Sequence, residues 1–322
     1  MQIIKNKNIF RYVKLIFFLF IVGYLIFKAN YNLAQIYQKI QNNYLSIFLV
    51  IFLHVLHLNF INLRMFLVFK LGLNKFIDYF IWMKLYFESL SMNIFLSHTG
   101  TAYRAYELKK YGIEYKSFLS FFYILFFSYV IFNMTFIFLE LIFFLDGDLK
   151  LKLFFMTFII FVLAGFLILP IFLQKLFNLL RKKLKKKFFN YIYKIQNSIN
   201  LKIKKILYNK KILKILFSFG IINHIFEISL FYFSFNVFLG ETAPSTLFLL
   251  FGLSFILDRI PIIRDIPGFS EILFALASTP FGFDFTYSLL TKFLLRFTGI
   301  ISVLFNYILS LIVSDILYKK IN

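Results

Sequence analysis

The chain has 322 residues, of which 61% are hydrophobic and 51 are phenylalanine, and its formal net charge is +22. Several apolar runs reach the roughly 18–20 residues needed to cross a hydrocarbon core of about 30 Å, so the composition predicts an all-α polytopic membrane protein with about six to eight membrane helices. The sequence contains no cysteine, which excludes disulfides, thiolate metal sites and cysteine nucleophiles.

The positive charge is concentrated near the ends of the apolar runs. One block, residues 175–214, holds 14 of the 36 basic residues and no acidic residue. This distribution is typical of cytoplasmic loops that face anionic headgroups, and it argues against nucleic acid as a partner. The four histidines lack the spacing of a metal site, so we expect neither a metal nor a cofactor.

The N-terminal half of the membrane region is predicted to cover residues 1–174. A first spanning helix at about 12–28 has a cytoplasmic N-terminus, because basic residues precede it and no signal-peptide cleavage site follows it. A second helix is predicted at about 44–69. Two further helices at about 118–144 and 153–174 lead into the basic block.

Counting back from the basic block places residues 97–117 on the cytoplasmic side, because the two helices between them cross the membrane twice. The apolar run at 77–96 then begins and ends on one side, and we predict that it is re-entrant. Its polar residues favour this interpretation, since such groups persist at membrane depth only against protein or a wet cavity. They are Lys84, Glu88, Ser89, Ser91 and Asn93. The alternative is an interfacial or spanning helix whose polar face packs on its neighbours.

The basic linker, residues 175–213, is predicted to be an amphipathic helix on the anionic cytoplasmic surface. Its apolar residues recur at helical spacing with lysines between them, as at Leu184, Phe188, Tyr191, Ile192 and Ile195. A docking surface for a cytosolic or membrane enzyme is the alternative.

The C-terminal half, residues 214–322, begins with a predicted helix at about 214–239. The apolar segment 247–283 is broken by Pro261, Pro267 and Gly268, which interrupt the helical hydrogen-bond ladder. A last helix at about 286–314 leads to a basic, cytoplasmic C-terminus, and it carries Lys292 and Arg296 on one face.

Polar residues also cluster at the second break. They are Asp258, Arg259, Arg264, Asp265 and Glu271. Two broken, polar segments at corresponding places in two halves are the pattern expected of transporters built from repeats. This pattern predicts a two-half pseudo-repeat with the site at the interface of the repeats.

Short motifs along most of the chain resemble those of one family. Arg64 ends the second helix, "LSHTGTAYRAYELKK" contains Gly100 and Arg104, "IPGFSEILFA" contains Gly268 and Glu271, and "RFTG" contains Arg296 and Gly299. In this respect the chain resembles the membrane region of the lysylphosphatidylglycerol synthases, which also occurs as stand-alone bacterial inner-membrane proteins. Ser97 and Thr101 stand where that family usually has proline and glutamate.

The resemblance implies a flippase-like module that moves a lipid or lipid-linked headgroup between leaflets. The chain ends after the last helix, so we expect no aminoacyl-transferring domain and no charging of lipid from aminoacyl-tRNA. The expected partners are membrane lipids, and a homodimer is the default assembly.

Translocation of a headgroup requires a polar path, which predicts a substrate-binding set of charged and small residues. Arginine suits phosphate because its planar fork binds two oxygens, so Arg104, Arg259 and Arg296 are predicted to bind phosphate. Glu88 and Glu271 are predicted to supply countercharge or to bind a cationic headgroup. The full set is Glu88, Asn93, Gly100, Arg104, Arg259, Gly268, Glu271, Lys292 and Arg296.

Five of these nine residues have a structural alternative. Arg104 and Glu107 could form an exposed i,i+3 pair on a cytoplasmic helix. Glu271 and Arg296 could form a buried ion pair between two helices. Asp258 and Arg259 could pair locally, and Lys292 could reach the membrane surface.

Two other functions remain open from the sequence. The protein could be a non-transporting subunit that positions a glycosyltransferase or lipid-modifying enzyme. It could also be an intramembrane transferase with Glu271 or Asp265 as base, although no nucleophile constellation or acidic metal motif is present. We therefore expect a transporter and not an enzyme.

Overall fold

The computed structural model describes residues 33–73, 77–95, 99–144, 208–241, 243–260 and 268–321, together with single positions between 153 and 197. The regular structure of these residues is helical and contains no strand, which confirms the all-α prediction. The predicted helices at 12–28 and 153–174, and most of the basic linker, lie outside the described residues.

The described residues form nine α-helices and one 3₁₀ turn. In chain order these are α1 (Leu33–Asn42), α2 (Tyr44–Leu73), α3 (Tyr79–Phe95), α4 (Thr99–Lys110), α5 (Tyr115–Phe144), α6 (Lys210–Leu239), α7 (Pro244–Leu257), α8 (Phe269–Ser278), the turn Thr279–Phe281, and α9 (Phe285–Ile321).

Four of these helices, α2, α5, α6 and α9, are long and apolar enough to cross a membrane. Helices α7 and α8 are apolar but too short to span alone. The prediction of a polytopic membrane protein is therefore confirmed. Helix α3 covers the segment predicted to be re-entrant and has 17 residues. Re-entry itself stays a prediction.

The chain divides into two compact units. The first unit contains Met1–His54 and Phe226–Ser302, and the second contains Val55–Ile225 and Val303–Asn322. The unit boundaries fall inside α2, α6 and α9. The predicted halves at 1–174 and 214–322 stay predictions of topology.

The core of the second unit is built from aromatic rings. Phe69 on α2 packs against Trp82 on α3 and Phe121 on α5, with ring centroids 4.8 and 4.9 Å apart. Phe87 and Phe118 are fully buried nearby. Aromatic pairs of this kind add roughly 0.5–1.5 kcal/mol each beyond the burial of area. This core holds α3 and α5 against α2.

The first unit is held by rings from α6, α7 and α8. Phe231 on α6 contacts Phe251 on α7 at 5.7 Å and Phe274 on α8 at 5.8 Å. The end of α6 is also tied to the start of α2, where the Asn43 amide donates to the Val237 carbonyl at 3.3 Å. These contacts fix the positions of α7 and α8, which carry the charged residues described below.

The apolar segment between α6 and α9 is divided into two short helices. Helix α7 has Pro244 in its first turn, where a missing N–H costs nothing, and it ends at Leu257. Helix α8 begins at Phe269, directly after Gly268, whose φ of 85° lies in the left-handed region that favours glycine. Pro261 and Pro267 lie outside the described residues.

Candidate functional site

Helices α3 and α4 form a tightly packed hairpin in the second unit, and Gly100 makes the close approach possible. A Cβ at this position would lie 1.6 Å from the backbone oxygen of Ser89. The backbone N–H of Gly100 donates to the Asn93 side-chain oxygen at 2.8 Å, which satisfies one of the open donors at the start of α4. Both residues therefore position α4 on α3.

Arg104 on α4 points into the second unit and is only 2% exposed. Its guanidinium lies 4.7 Å from the centre of the Tyr86 ring, and Nη1 donates weakly to the Met65 sulfur at 3.8 Å. Its Nε has no hydrogen-bond partner. No carboxylate pairs with Arg104 among the described residues, so this is a buried cation without a countercharge.

Burial lowers the pKa of the Arg104 guanidinium to about 10. The side chain therefore keeps its charge at neutral pH in spite of its surroundings. The predicted alternative, an exposed pair with Glu107, is not formed, because Glu107 pairs instead with Lys110 at 2.8 Å.

Glu88 on α3 belongs to the same hairpin, and its carboxylate accepts a hydrogen bond from the Tyr103 hydroxyl on α4. The pKa of Tyr103 is raised, first by burial and then by this hydrogen bond to the carboxylate. Tyr103 directly precedes Arg104 on α4, so the two helices of the hairpin carry a carboxylate, a phenol and a guanidinium.

In the first unit, Glu271 and Arg296 form an ion pair between α8 and α9. Arg296 Nη1 lies 2.5 Å from Glu271 Oε1, and Ser270 Oγ donates to the other carboxylate oxygen at 2.9 Å. The exposures differ sharply, since Glu271 is 2% exposed and Arg296 is 38% exposed. Gly268 starts the helix that places Glu271 in its first turn, where the helix dipole favours a negative charge.

One turn earlier on α9, Lys292 reaches the end of α7. Its Nζ donates to Asp258 Oδ2 and to Ser254 Oγ, each at 2.7 Å. Here the cation is the buried partner, at 5% exposure against 39% for Asp258. Because Asp258 lies at the C-cap of α7, where the dipole disfavours a carboxylate, Lys292 also neutralises this helix end.

Arg259 follows Asp258 and pairs with Glu227 on α6, with 3.8 Å between Nη2 and Oε1. Its guanidinium also lies 4.7 Å from the centre of the Phe255 ring. Asp258 pairs with Lys292 rather than with the adjacent Arg259, so the alternative of a local Asp258–Arg259 pair is not realised.

The nine predicted site residues thus fall into two groups, one in each unit. The hairpin group lies on α3 and α4 and the ion-pair group lies around α7, α8 and α9. They are Glu88, Asn93, Gly100 and Arg104 in the second unit, and Arg259, Gly268, Glu271, Lys292 and Arg296 in the first.

The sequence prediction missed two kinds of residue. Glu227 and Tyr103 are close partners of predicted residues, but they are far from them in sequence or lack charge. Glu140 and His224 form a contact of 2.7 Å in the second unit. Glu140, His224 and Glu227 each lie inside a long apolar helix, and an ionisable residue in such a position is itself a sequence signal. The sequence prediction considered the histidines only as metal ligands and so overlooked this signal.

No family model, curated protein or solved structure matches the chain.

Proposed function

We propose that the protein moves a phosphate-bearing lipid or lipid-linked headgroup between the leaflets of the bacterial inner membrane. The observation that carries this proposal is the state of Arg104, a buried guanidinium with no carboxylate partner among the described residues and with an unpartnered Nε. Leaving a charge buried and unpaired is costly, and such residues are retained where they bind a ligand.

The chemistry of the guanidinium favours an anionic ligand with more than one oxygen. A planar fork of N–H donors binds two phosphate oxygens at once, and a charge-assisted bond to phosphate supplies the missing countercharge. Glu88, on the adjoining helix of the hairpin, supplies a negative group for a cationic part of the headgroup. A zwitterionic headgroup therefore satisfies both residues.

The ion-pair group of the first unit gives further support. Its cations each have a carboxylate, in the pairs Arg259–Glu227, Lys292–Asp258 and Arg296–Glu271. Isolated charges in membrane helices cost roughly 2.5–3.5 kcal/mol each on insertion scales, and pairing reduces this cost. A phosphate can take the place of a carboxylate at an arginine, and a cationic part of the same headgroup can pair with the carboxylate that is displaced. The pairs therefore offer alternative positions for a moving headgroup.

The sequence supplies the remaining support. The motifs around Gly100, Arg104, Glu271 and Arg296 resemble those in the membrane region of the lysylphosphatidylglycerol synthases. The distribution of lysine and arginine favours a cytoplasmic position for both termini and for the basic linker. We assign a transport activity and no catalytic reaction.

The test is lipid exchange in vesicles. Purified protein is reconstituted with headgroup-labelled anionic, zwitterionic, cationic and polyprenyl-phosphate lipids, and the fraction of label accessible from outside is followed in time. We expect faster exchange for at least one phosphate-bearing lipid, and loss of that increase in Arg104→Met. Lys109→Ala is the matched control, because it removes an exposed cation from the same helix.

A wild-type rate equal to that of empty vesicles for every lipid would overturn the proposal and favour a non-transporting partner subunit. An Arg104→Met protein that exchanges lipid at the wild-type rate would remove Arg104 from the site.

A further inference from the structure

A separate polar cluster lies between two of the long apolar helices, α5 and α6, in the second unit. The buried imidazole of His224 is placed between two oxygens of α5. Its Nδ1 is 2.8 Å from Asn133 Oδ1, and its Nε2 is 2.7 Å from Glu140 Oε1. The Phe136 ring stacks on the imidazole at 4.9 Å between centroids. The second carboxylate oxygen, Glu140 Oε2, is buried and has no hydrogen-bond partner among the residues that the structure describes.

The orientation of the Asn133 amide fixes the position of one proton. Its Nδ2 donates to the Tyr129 carbonyl at 3.1 Å, so Oδ1 must be the atom that faces His224. An amide oxygen only accepts, and Nδ1 of the imidazole must therefore carry a hydrogen. Turning the amide over would set two acceptors, Asn133 Oδ1 and Tyr129 O, against each other.

With Nδ1 protonated, the other contact requires a second proton. If Nε2 and the Glu140 carboxylate were both unprotonated, two lone pairs would face each other across 2.7 Å. One proton on the line between Nε2 and Oε1 turns this repulsion into a strong hydrogen bond. The proton belongs to the pair, whether it is written as a neutral imidazole with a carboxylic acid or as imidazolium with carboxylate.

We infer that Glu140 and His224 form a proton-binding site that holds α5 against α6 when it is occupied. Release sends one proton to water and leaves neutral His224 beside ionised Glu140. The contact then loses its hydrogen bond, and the Glu140 carboxylate, whose Oε2 is buried, has no countercharge among its described contacts. The two helices should separate at this point when the proton leaves.

Three other ionisable groups on the packed helices have partners of their own. On α2, His57 contacts Asn223 at 3.0 Å and Arg64 donates to Ser128 at 2.7 Å. On α6, Glu227 lies three residues beyond His224 and pairs with Arg259. In the described part of the chain, the Glu140 and His224 side chains are thus the pair that exchanges the proton.

The test observes the proton and the helix contact in the same full-length protein. Histidine labelled with ¹⁵N reports the hydrogen on Nε2 of His224 by nuclear magnetic resonance. The chain has no cysteine, so cysteines introduced at the exposed positions Phe143 on α5 and Ile225 on α6 can carry spin labels without background. Both signals are followed while the pH is raised stepwise in detergent micelles.

We expect a strongly hydrogen-bonded proton on Nε2 that disappears in a single step, and an increase in the label distance in that same step. Glu140→Leu should lack the proton signal and show the longer label distance at every pH. Glu140→Gln should keep the short distance at every pH, because its amide can donate to Nε2 and cannot be deprotonated. Glu107→Gln, which removes a carboxylate from α4, should titrate like wild type.

Absence of the proton signal, or its persistence unchanged over the whole pH range, would overturn the inference. So would a Glu140→Leu protein with the wild-type signal and distance. None of these measurements depends on lipid movement, so the proton site and the proposed transport activity can fail independently.

Discussion

The Cα of Gly100 packs against the backbone carbonyl of Ser89 so closely that a methyl group on it would lie 1.6 Å from the oxygen. This contact joins α3 to α4, and both partners at the contact are backbone. Neither can move aside as a flexible side chain would. Glu88 and Asn93 lie on one of the two helices that this contact joins, and Arg104 lies on the other.

Gly100→Ala is therefore expected to destabilise the second unit strongly. Overpacking typically costs about 1–3 kcal/mol, and a clash with backbone should reach the upper end or exceed it. Trp82, the single tryptophan of the chain, lies in the core of this unit and reports its unfolding by fluorescence. Gly299→Ala is the control, because its nearest neighbour, His54 Nε2, would be 3.7 Å away. Equal midpoints for the two variants would contradict the close approach.

Arg104→Met should stabilise the protein while abolishing lipid exchange. Methionine keeps the apolar stem, packs beside Met65 and removes a buried charge that has no carboxylate partner in the described part of the chain. Replacing buried charged groups with apolar ones often stabilises by about 1–4 kcal/mol. The measurement is the Trp82 unfolding midpoint alongside the exchange rate. Lys109→Met should change neither, and a marked loss of stability in Arg104→Met would show that the guanidinium is structural.

The ion pair of Glu271 and Arg296 should respond asymmetrically to mutation. Arg296→Ala leaves a buried carboxylate unpaired, which costs about 3–5 kcal/mol, whereas Glu271→Gln leaves a partly exposed arginine that can be solvated and should cost about 1 kcal/mol. Scanning calorimetry in micelles measures the loss of stability in both variants. The double variant should be more stable than Arg296→Ala alone, because the two changes are coupled. Additive losses would contradict the pairing.

The pair of Asp258 and Lys292 should show the opposite asymmetry. Here the lysine is the buried residue. Asp258→Ala removes its countercharge and leaves the ammonium with its hydrogen bond to Ser254, which should cost about 3–5 kcal/mol of stability. Lys292→Met fills the same space with an apolar chain and leaves a partly exposed carboxylate, so we expect a change within about 1 kcal/mol. Scanning calorimetry in micelles measures the loss of stability in both variants. A larger loss in Lys292→Met than in Asp258→Ala would show that Asp258, and not Lys292, is the buried partner.

Much of the secondary structure follows from the sequence because it depends on local properties. In a membrane, a long apolar run must satisfy its backbone hydrogen bonds within its own segment. The segments of α2, α5, α6 and α9 are therefore helical whatever their neighbours are. The spacing of Lys292 and Arg296 puts them on one face of α9 for the same reason. Gly268 and the prolines around it likewise predict an interruption between α7 and α8.

The partners of the charged residues could not be read in the same way. Lys292 meets Asp258 across 34 positions of sequence, and His224 meets Glu140 across 84. The sequence suggested Asp258–Arg259 and Arg104–Glu107 as local pairs. Asp258 pairs instead with Lys292 on another helix, and Glu107 pairs with Lys110 on its own helix because Arg104 is buried. Helical spacing predicts which residues share a face and carries no information about the helix that the face meets.

The sequence by itself determined that this is a helical membrane protein with its positive charge at the ends of apolar runs, because apolar length and charge distribution are properties of each segment alone. Only the tertiary structure decided that Arg104 is buried with no carboxylate partner among the described residues. It also decided that Glu271 and Lys292 are the buried partners of their pairs, and that His224 bridges Asn133 and Glu140. Burial and pairing depend on contacts between distant helices, and those contacts exist only once the chain has folded.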